Sequence, residues 1–176
     1  TIVNSMTPSF VTLRQKLIDQ NLLLSKGEFL NKRELGKQIE LMKSTPRELT
    51  ETSHEEMMRF DSPLHMFERT ATSETVIGET TVLVGQKVVA MLGSANRDEE
   101  VFENTDQFDI TRKHNPHIAF GAGIHFCIGA PLARLEMQNS LPMMFERFPN
   151  LQLAGTPVQR PTFVLRGWEI IPANNG

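Results

Sequence analysis

The residue with the most chemistry in this 176-residue chain is its single cysteine, Cys127, flanked by Gly121 and Gly123 on one side and Gly129 on the other. Glycine lacks a Cβ and tolerates positive φ, so three of them around one thiol let the backbone approach something flat or bulky. The following run, Ala130-Pro131-Leu132-Ala133-Arg134-Leu135-Glu136, has a proline near a helix start and then good helix formers. It places a helix from about residue 128 or 131 to about Phe148. Such a helix aims free N–H groups and a partial positive charge at the sulfur, which is the setting of a thiolate metal ligand. Without the glycines, a lone cysteine reads as a small buried hydrophobe. A rival is zinc, since His114, His117, His125 and Cys127 could supply four ligands. Against it, His114-x-x-His117 lacks the usual Cys-x-x-Cys turn, and a compact tetrahedral site does not need the glycines. Upstream, Glu56 and Arg59 fall at i and i+3 on one helical face, where a solvated pair contributes about 0.2–0.5 kcal/mol.

The elements that must position these groups follow from periodicity. Residues 1–60 read as helical: Phe10, Leu13 and Leu17 recur at helical spacing, and Leu35, Ile39 and Met42 repeat it after a polar break at Ser25–Gly27. Thr45-Pro46 stops the second helix. Thr50 or Thr52 is placed to cap a third, which contains Glu55 to Arg59 and ends before Ser62-Pro63. Thr75-Val76-Ile77, Thr81-Val82-Leu83-Val84 and Lys87-Val88-Val89-Ala90 are β-branched stretches separated by Gly78 and Gly85, which predicts a small antiparallel sheet. Residues 93–119 carry no sustained period and predict a long irregular segment pinned by Phe102, Phe108 and Ile110. Past Pro149, the apolar positions Leu151, Leu153, Phe163, Leu165, Ile170 and Ile171 predict one or two closing hairpins. No internal repeat or low-complexity segment interrupts this order.

Composition narrows the classes. Apolar residues make up 39% and charged residues 22%, with a net charge of -3, which fits a globular chain and lacks the basic excess of a nucleic-acid binder. The longest uninterrupted apolar run, Val88 to Leu92, is far short of the roughly 20 residues that span a bilayer, so no membrane partner is expected. One cysteine excludes an internal disulfide and fits a reducing compartment, hence a cytoplasmic location. The length suits one domain or part of a larger one, and Thr1 in place of Met suggests a missing beginning.

The run Phe120-x-x-Gly123-x-His125-x-Cys127-x-Gly129 resembles the haem-ligand loop of the cytochrome P450 family, the haem-thiolate monooxygenases. Glu56-x-x-Arg59 resembles the family's Glu-x-x-Arg helix, and the block from Gly93-Ser94-Ala95-Asn96-Arg97-Asp98 to Phe108-Asp109 resembles its meander in soluble bacterial members. Order and spacing also match. The resemblance runs from about residue 34 to the C-terminus, with residues 1–33 matching weakly. It implies a mainly α fold with small antiparallel β-sheets, the C-terminal portion of the cytochrome P450 fold. Helices then occupy 34–62, a small sheet 70–92, the meander 93–119, the cysteine loop 120–129, a helix 130–148 and hairpins 149–176.

The same resemblance implies haem b, with Cys127 as axial thiolate ligand of the iron, donating electron density that favours O–O cleavage. Phe120 would cover the sulfur side of the macrocycle, Gly121, Gly123 and Gly129 would line the loop, and His125 and Arg69 would bind the propionates. Leu64, Phe67, Val164 and Leu165 would reach over the haem toward an apolar small-molecule substrate. A ferredoxin or flavodoxin would dock near Arg112, Lys113 and Arg134 and supply electrons. There are three departures. Gln107 stands where the family usually has Arg or His before the meander Phe, leaving the third partner of Glu56–Arg59 to Arg97 or Arg112. Pro142 falls inside the helix after the cysteine and is expected to kink or shorten it, at about 3 kcal/mol. The acid–alcohol pair of the family's distal helix is absent, with Thr1 at most its last remnant. The implied function is therefore a monooxygenase that hydroxylates or epoxidises its substrate, and the alternative is a truncated, non-catalytic haem-binding or interaction chain.

Overall fold

The computed structural model describes residues 32–176. The expectations placed on Thr1, on Phe10, Leu13 and Leu17 and on the Ser25–Gly27 break lie outside the described residues. Helix α1 covers Lys32–Ser44 and ends where Thr45-Pro46 forbids its continuation. On its expected apolar face Met42 is buried, whereas Ile39 is exposed.

Helix α2 covers Thr50–Phe60. Neither threonine caps it. Leu49 holds the N-cap position without a side-chain bond, Thr50 is already helical with its hydroxyl donating to the Pro46 carbonyl, and the Thr52 hydroxyl donates to Leu49. The preceding turn supplies carbonyls that both hydroxyls reach, so they bond backwards instead of to free N–H groups.

Strands β1 (Phe67–Thr70), β2 (Thr75–Ile77), β3 (Thr80–Val82) and β4 (Lys87–Ala90) form two antiparallel pairs, β1 with β4 and β2 with β3. The sheet thus begins earlier than residue 70. Strand β1 reads Phe-Glu-Arg-Thr, too charged to signal itself, and is held by register: Glu68 faces Val89, Thr70 faces Lys87, and Lys87 Nζ lies 2.7 Å from Glu68 Oε1. Gly78 and Gly85 turn the chain at positive φ, +60° and +82°. A small core of Met66, Val89 and Met91, with Phe163 against it, lies beside the β1–β4 pair.

Helix α3 (Leu92–Ala95) opens the irregular stretch, in which Phe102 and Ile110 are buried and Phe108 packs edge-on against Phe60 at 5.3 Å. Helix α4 covers Ala130–Arg147 and passes through Pro142 without being shortened. The proline ring is among the most buried side chains, so packing accommodates the residue that propensity disfavours. Strands β5 (Gln152–Leu153) and β8 (Ala173–Asn174) enclose the pair β6 (Val158–Gln159) and β7 (Trp168–Ile170). No helix among the described residues is long and apolar enough to cross a membrane.

Candidate functional site

Helix α2 carries the two most densely bonded side chains among the described residues. The Arg59 guanidinium and the Glu56 carboxylate are both fully buried and meet in a two-pronged pair, Nε to Oε2 and Nη2 to Oε1, each 2.8 Å. Arg59 has five N–H donors, and its remaining bonds go to backbone carbonyls of the meander: Nη1 to Asn96 and Thr105, both 2.9 Å, and Nη2 to Gln107 at 3.2 Å. Glu56 in turn accepts from the Asp109 amide, from Arg112 Nε at 3.1 Å and from Asn115 Nδ2 at 3.2 Å. Buried charge on this scale is tolerable only because the guanidinium N–H groups and both carboxylate oxygens are met.

The third cationic partner is therefore Arg112. Position 107 contributes its backbone carbonyl, so a glutamine there costs the network nothing. Arg97 lies elsewhere, donating to the Phe60 carbonyl and Asp106 with its guanidinium 3.7 Å from the centre of the Phe60 ring. Sequence reasoning missed Asn96, which is buried and ties Ser62 to the entry of the cysteine loop: Nδ2 donates to Ser62 Oγ at 2.7 Å, and Oδ1 accepts from the Ile118 amide at 2.8 Å. Asn115 and Glu55 were missed as well, since no local pattern marks them.

The cysteine loop is built by short-range bonds. Gly121 N–H donates to Ile118, Phe126 N–H to Gly123, and Cys127 N–H to Phe120, the last at 2.9 Å. Gly121 and Gly123 take φ of +77° and +64°. A Cβ on Gly121 would lie in ordinary contact with the His125 carbonyl at 3.4 Å and the Phe67 ring at 3.5 Å, so it is the positive φ that asks for glycine there. Gly129 is different: its φ is -82°, and what matters is the open space beside Cys127 Sγ, which a Cβ would approach to 3.8 Å. The thiol is exposed, and Ile124 and Ile128 beside it are 97% and 100% exposed. Large apolar side chains so fully uncovered next to a soft donor suit a flat apolar ligand.

The sequence pattern of the family described as Cytochrome P450 matches residues 28–164. The chain belongs to the cytochrome P450 family. It is 47% identical over 124 residues to nocardicin C N-oxygenase of Nocardia uniformis subsp. tsuyamanensis, covering 69% of this chain and 31% of that protein. To the biotin biosynthesis cytochrome P450 of Bacillus subtilis it is 43% identical over 126 residues, covering 71% and 32%. The crystal structure of P450BioI in complex with hexadec-9Z-enoic acid ligated acyl carrier protein superposes with a TM-score of 0.76 at 39% identity, covering 80% of this chain and 37% of that one. The chain thus spans about a third of the length of the curated relatives it matches.

The cytochrome P450 fold places the remaining candidates as follows. Arg69 is exposed on β1, donating to the Glu68 carbonyl with its guanidinium 5.5 Å from the Phe67 ring centre, and His125 is exposed in the short 3-10 turn Gly123–His125. Leu64 and Leu165 form a β-bridge, and His65 N–H donates to Val164, so the two expected substrate-contact segments run side by side. Phe67 packs near Gly121.

Two of the three expected docking cations are not free. The Arg112 side chain is 11% exposed and committed to Glu56, and Arg134 is bonded to Glu55. Both were read as surface charges because neither partner is near them in sequence. Lys113 is exposed. The four-ligand zinc reading is not assembled: among the described residues no three of His, Cys, Asp and Glu converge on a metal-sized site, and His117 Nε2 is instead 2.6 Å from Glu55 Oε2.

Haem, the cofactor the family implies, fits the residues present. An exposed thiol offers one soft axial donor, the neighbouring glycines leave room for close approach, and uncovered isoleucines provide an apolar surface.

Proposed function

We propose that the protein is a haem-thiolate monooxygenase acting on an apolar small molecule, with Cys127 as the iron's axial ligand. The observation that carries this reading is the exposed thiol of Cys127 in a glycine-shaped loop, whose entry is tied through Asn96 to the meander that Arg59 holds. Haem b, when bound, supplies the iron at which oxygen is reduced and cleaved, and a thiolate ligand favours that cleavage.

The chain's own residues have separable tasks. Cys127 donates through Sγ, while its backbone N–H is held on the Phe120 carbonyl, which fixes the approach of the sulfur. Arg69 and His125 supply cationic and hydrogen-bonding groups suited to propionate carboxylates. Leu64, Phe67, Val164 and Leu165 supply apolar surface for the substrate. Electrons come from a ferredoxin or flavodoxin-type donor, for which Lys113 is the cation left unengaged by the networks above. The acyl carrier protein in the BioI complex belongs to that relative, and a tethered acyl chain is one apolar substrate class to assay.

Cys127→Ser tests the reading. The reduced carbonyl complex of the parent protein is expected to show the red-shifted Soret band of thiolate ligation, and the variant to lose it while keeping its far-UV circular dichroism. A retained band in the variant, or a parent that stays colourless with hemin, overturns it.

A further inference from the structure

Glu55 precedes the buried Glu56 and has a separate set of partners. Its carboxylate accepts Arg134 Nε and Nη2 from α4 at 2.5 and 3.0 Å, and His117 Nε2 from the segment entering the cysteine loop at 2.6 Å. His117 Nδ1 accepts the Ala119 amide at 3.2 Å, which fixes the tautomer with the proton on Nε2, directed at Glu55. On α2 itself, His54 Nε2 lies 2.9 Å from Oε1 but is not aligned for a hydrogen bond. Three elements far apart in sequence therefore meet on one carboxylate.

What they enclose is Phe120. The Arg134 guanidinium lies 4.7 Å from the centre of its ring, the His117 ring lies 6.2 Å away, and the Phe120 carbonyl holds the Cys127 amide. We propose that Glu55 is the positioning residue of the cysteine loop, clamping Arg134 and His117 around Phe120 and thereby fixing the Cys127 backbone. Burial disfavours the charged form of Glu55, yet its bonds from His117 and Arg134 and its proximity to His54 together hold it well below the usual carboxylate range. The clamp is thus charged at neutral pH. Glutamine cannot replace it, because its NH2 group would face a donor where Glu55 offers a second acceptor.

The proposal takes from the monooxygenase reading only the purpose of the loop. Its test is chosen to stand apart from that reading. Cys127 is the sole thiol, so its rate of alkylation by iodoacetamide in the haem-free 176-residue chain reports loop geometry alone. Glu55→Gln is expected to change that rate by about threefold or more, because the thiol is exposed in the folded loop and its reactivity follows the backbone and helix-terminus setting that the clamp fixes. Arg134→Gln should do the same, and the double variant should depart from the parent rate no further than either single one, the signature of a shared path. Arg47→Ala, which frees Glu146 on the same helix α4, should leave the rate unchanged. An unaltered rate in Glu55→Gln, additive effects in the double variant, or an equal response in Arg47→Ala overturns the proposal. If Glu55→Gln does not fold, Arg134→Gln against Arg47→Ala decides. In hemin-loaded protein, Glu55→Gln should also shift the iron's midpoint potential. A parent that takes up no hemin refutes the monooxygenase reading and leaves the alkylation result to stand.

Discussion

Arg59 places all of its donors inside the protein, and the consequence is asymmetric. Arg59→Met would leave the Glu56 charge buried with Arg112, Asn115 and one amide, and is expected to cost about 3–5 kcal/mol in urea unfolding. Arg47→Ala breaks an equally well-formed pair with Glu146, but both side chains are exposed, so its cost should stay below about 1 kcal/mol. A short distance does not rank the two; desolvation does. The same point corrects the docking surface. A charge reversal at Arg112 would place a second carboxylate beside Glu56, so slower reduction of that variant would report misfolding. Lys113→Glu is the cleaner substitution, expected to slow reduction of the haem protein without moving its spectrum. An unchanged rate in stopped-flow reduction would remove Lys113 from the docking surface.

Among elements, the cysteine loop is fixed at both ends, by Asn96 on the Ile118 amide and by the start of α4 at Ala130. Between them Gly121 sits at a positive φ that a side chain rarely adopts. Gly121→Ala is expected to cost about 1–2 kcal/mol through its positive φ, measured as a lowered thermal midpoint with weakened hemin uptake. Gly123→Ala carries the same backbone penalty and meets no neighbour within 4 Å, so its effect should be of similar size. The helices were legible where punctuation is local: Pro46 closes α1, Pro131 opens α4, and Gly78 and Gly85 mark the β-turns. Strand β1, the backward bonding of Thr50 and the uninterrupted course of α4 through Pro142 were not, because each is decided by a neighbour distant in sequence.

Across the whole molecule, two histidines give opposite pH dependences. For His54, burial opposes the charged form, but the Glu55 carboxylate and the Thr50 carbonyl outweigh it and raise the pKa above its ordinary 6.5. The folded state then holds a proton that the unfolded chain releases first, so this contribution is complete below 6.5 and is lost as pH rises through the raised value. For His65, burial and the nearby Arg166 lower the pKa, so stability increases as pH rises through the window just below 6.5. Urea unfolding across pH 5 to about 8 should show a shallow maximum, with His65→Gln flattening its acid side and His54→Gln its alkaline side. Equal slopes in parent and variants would refute both assignments.

The amino-acid order alone determined the cysteine loop, the pairing of Glu56 with Arg59, the helix and turn boundaries set by proline and glycine, and through them the family. These are readable because backbone restrictions and i, i+3 spacing act within a few residues. Only the tertiary structure decided that Arg112 completes the Glu56 network across 56 residues and that Glu55 meets Arg134 across 79, turning apparent surface charges inward. Such pairs leave no periodic trace in the sequence, because a charged side chain reads alike whether water or a buried carboxylate receives it.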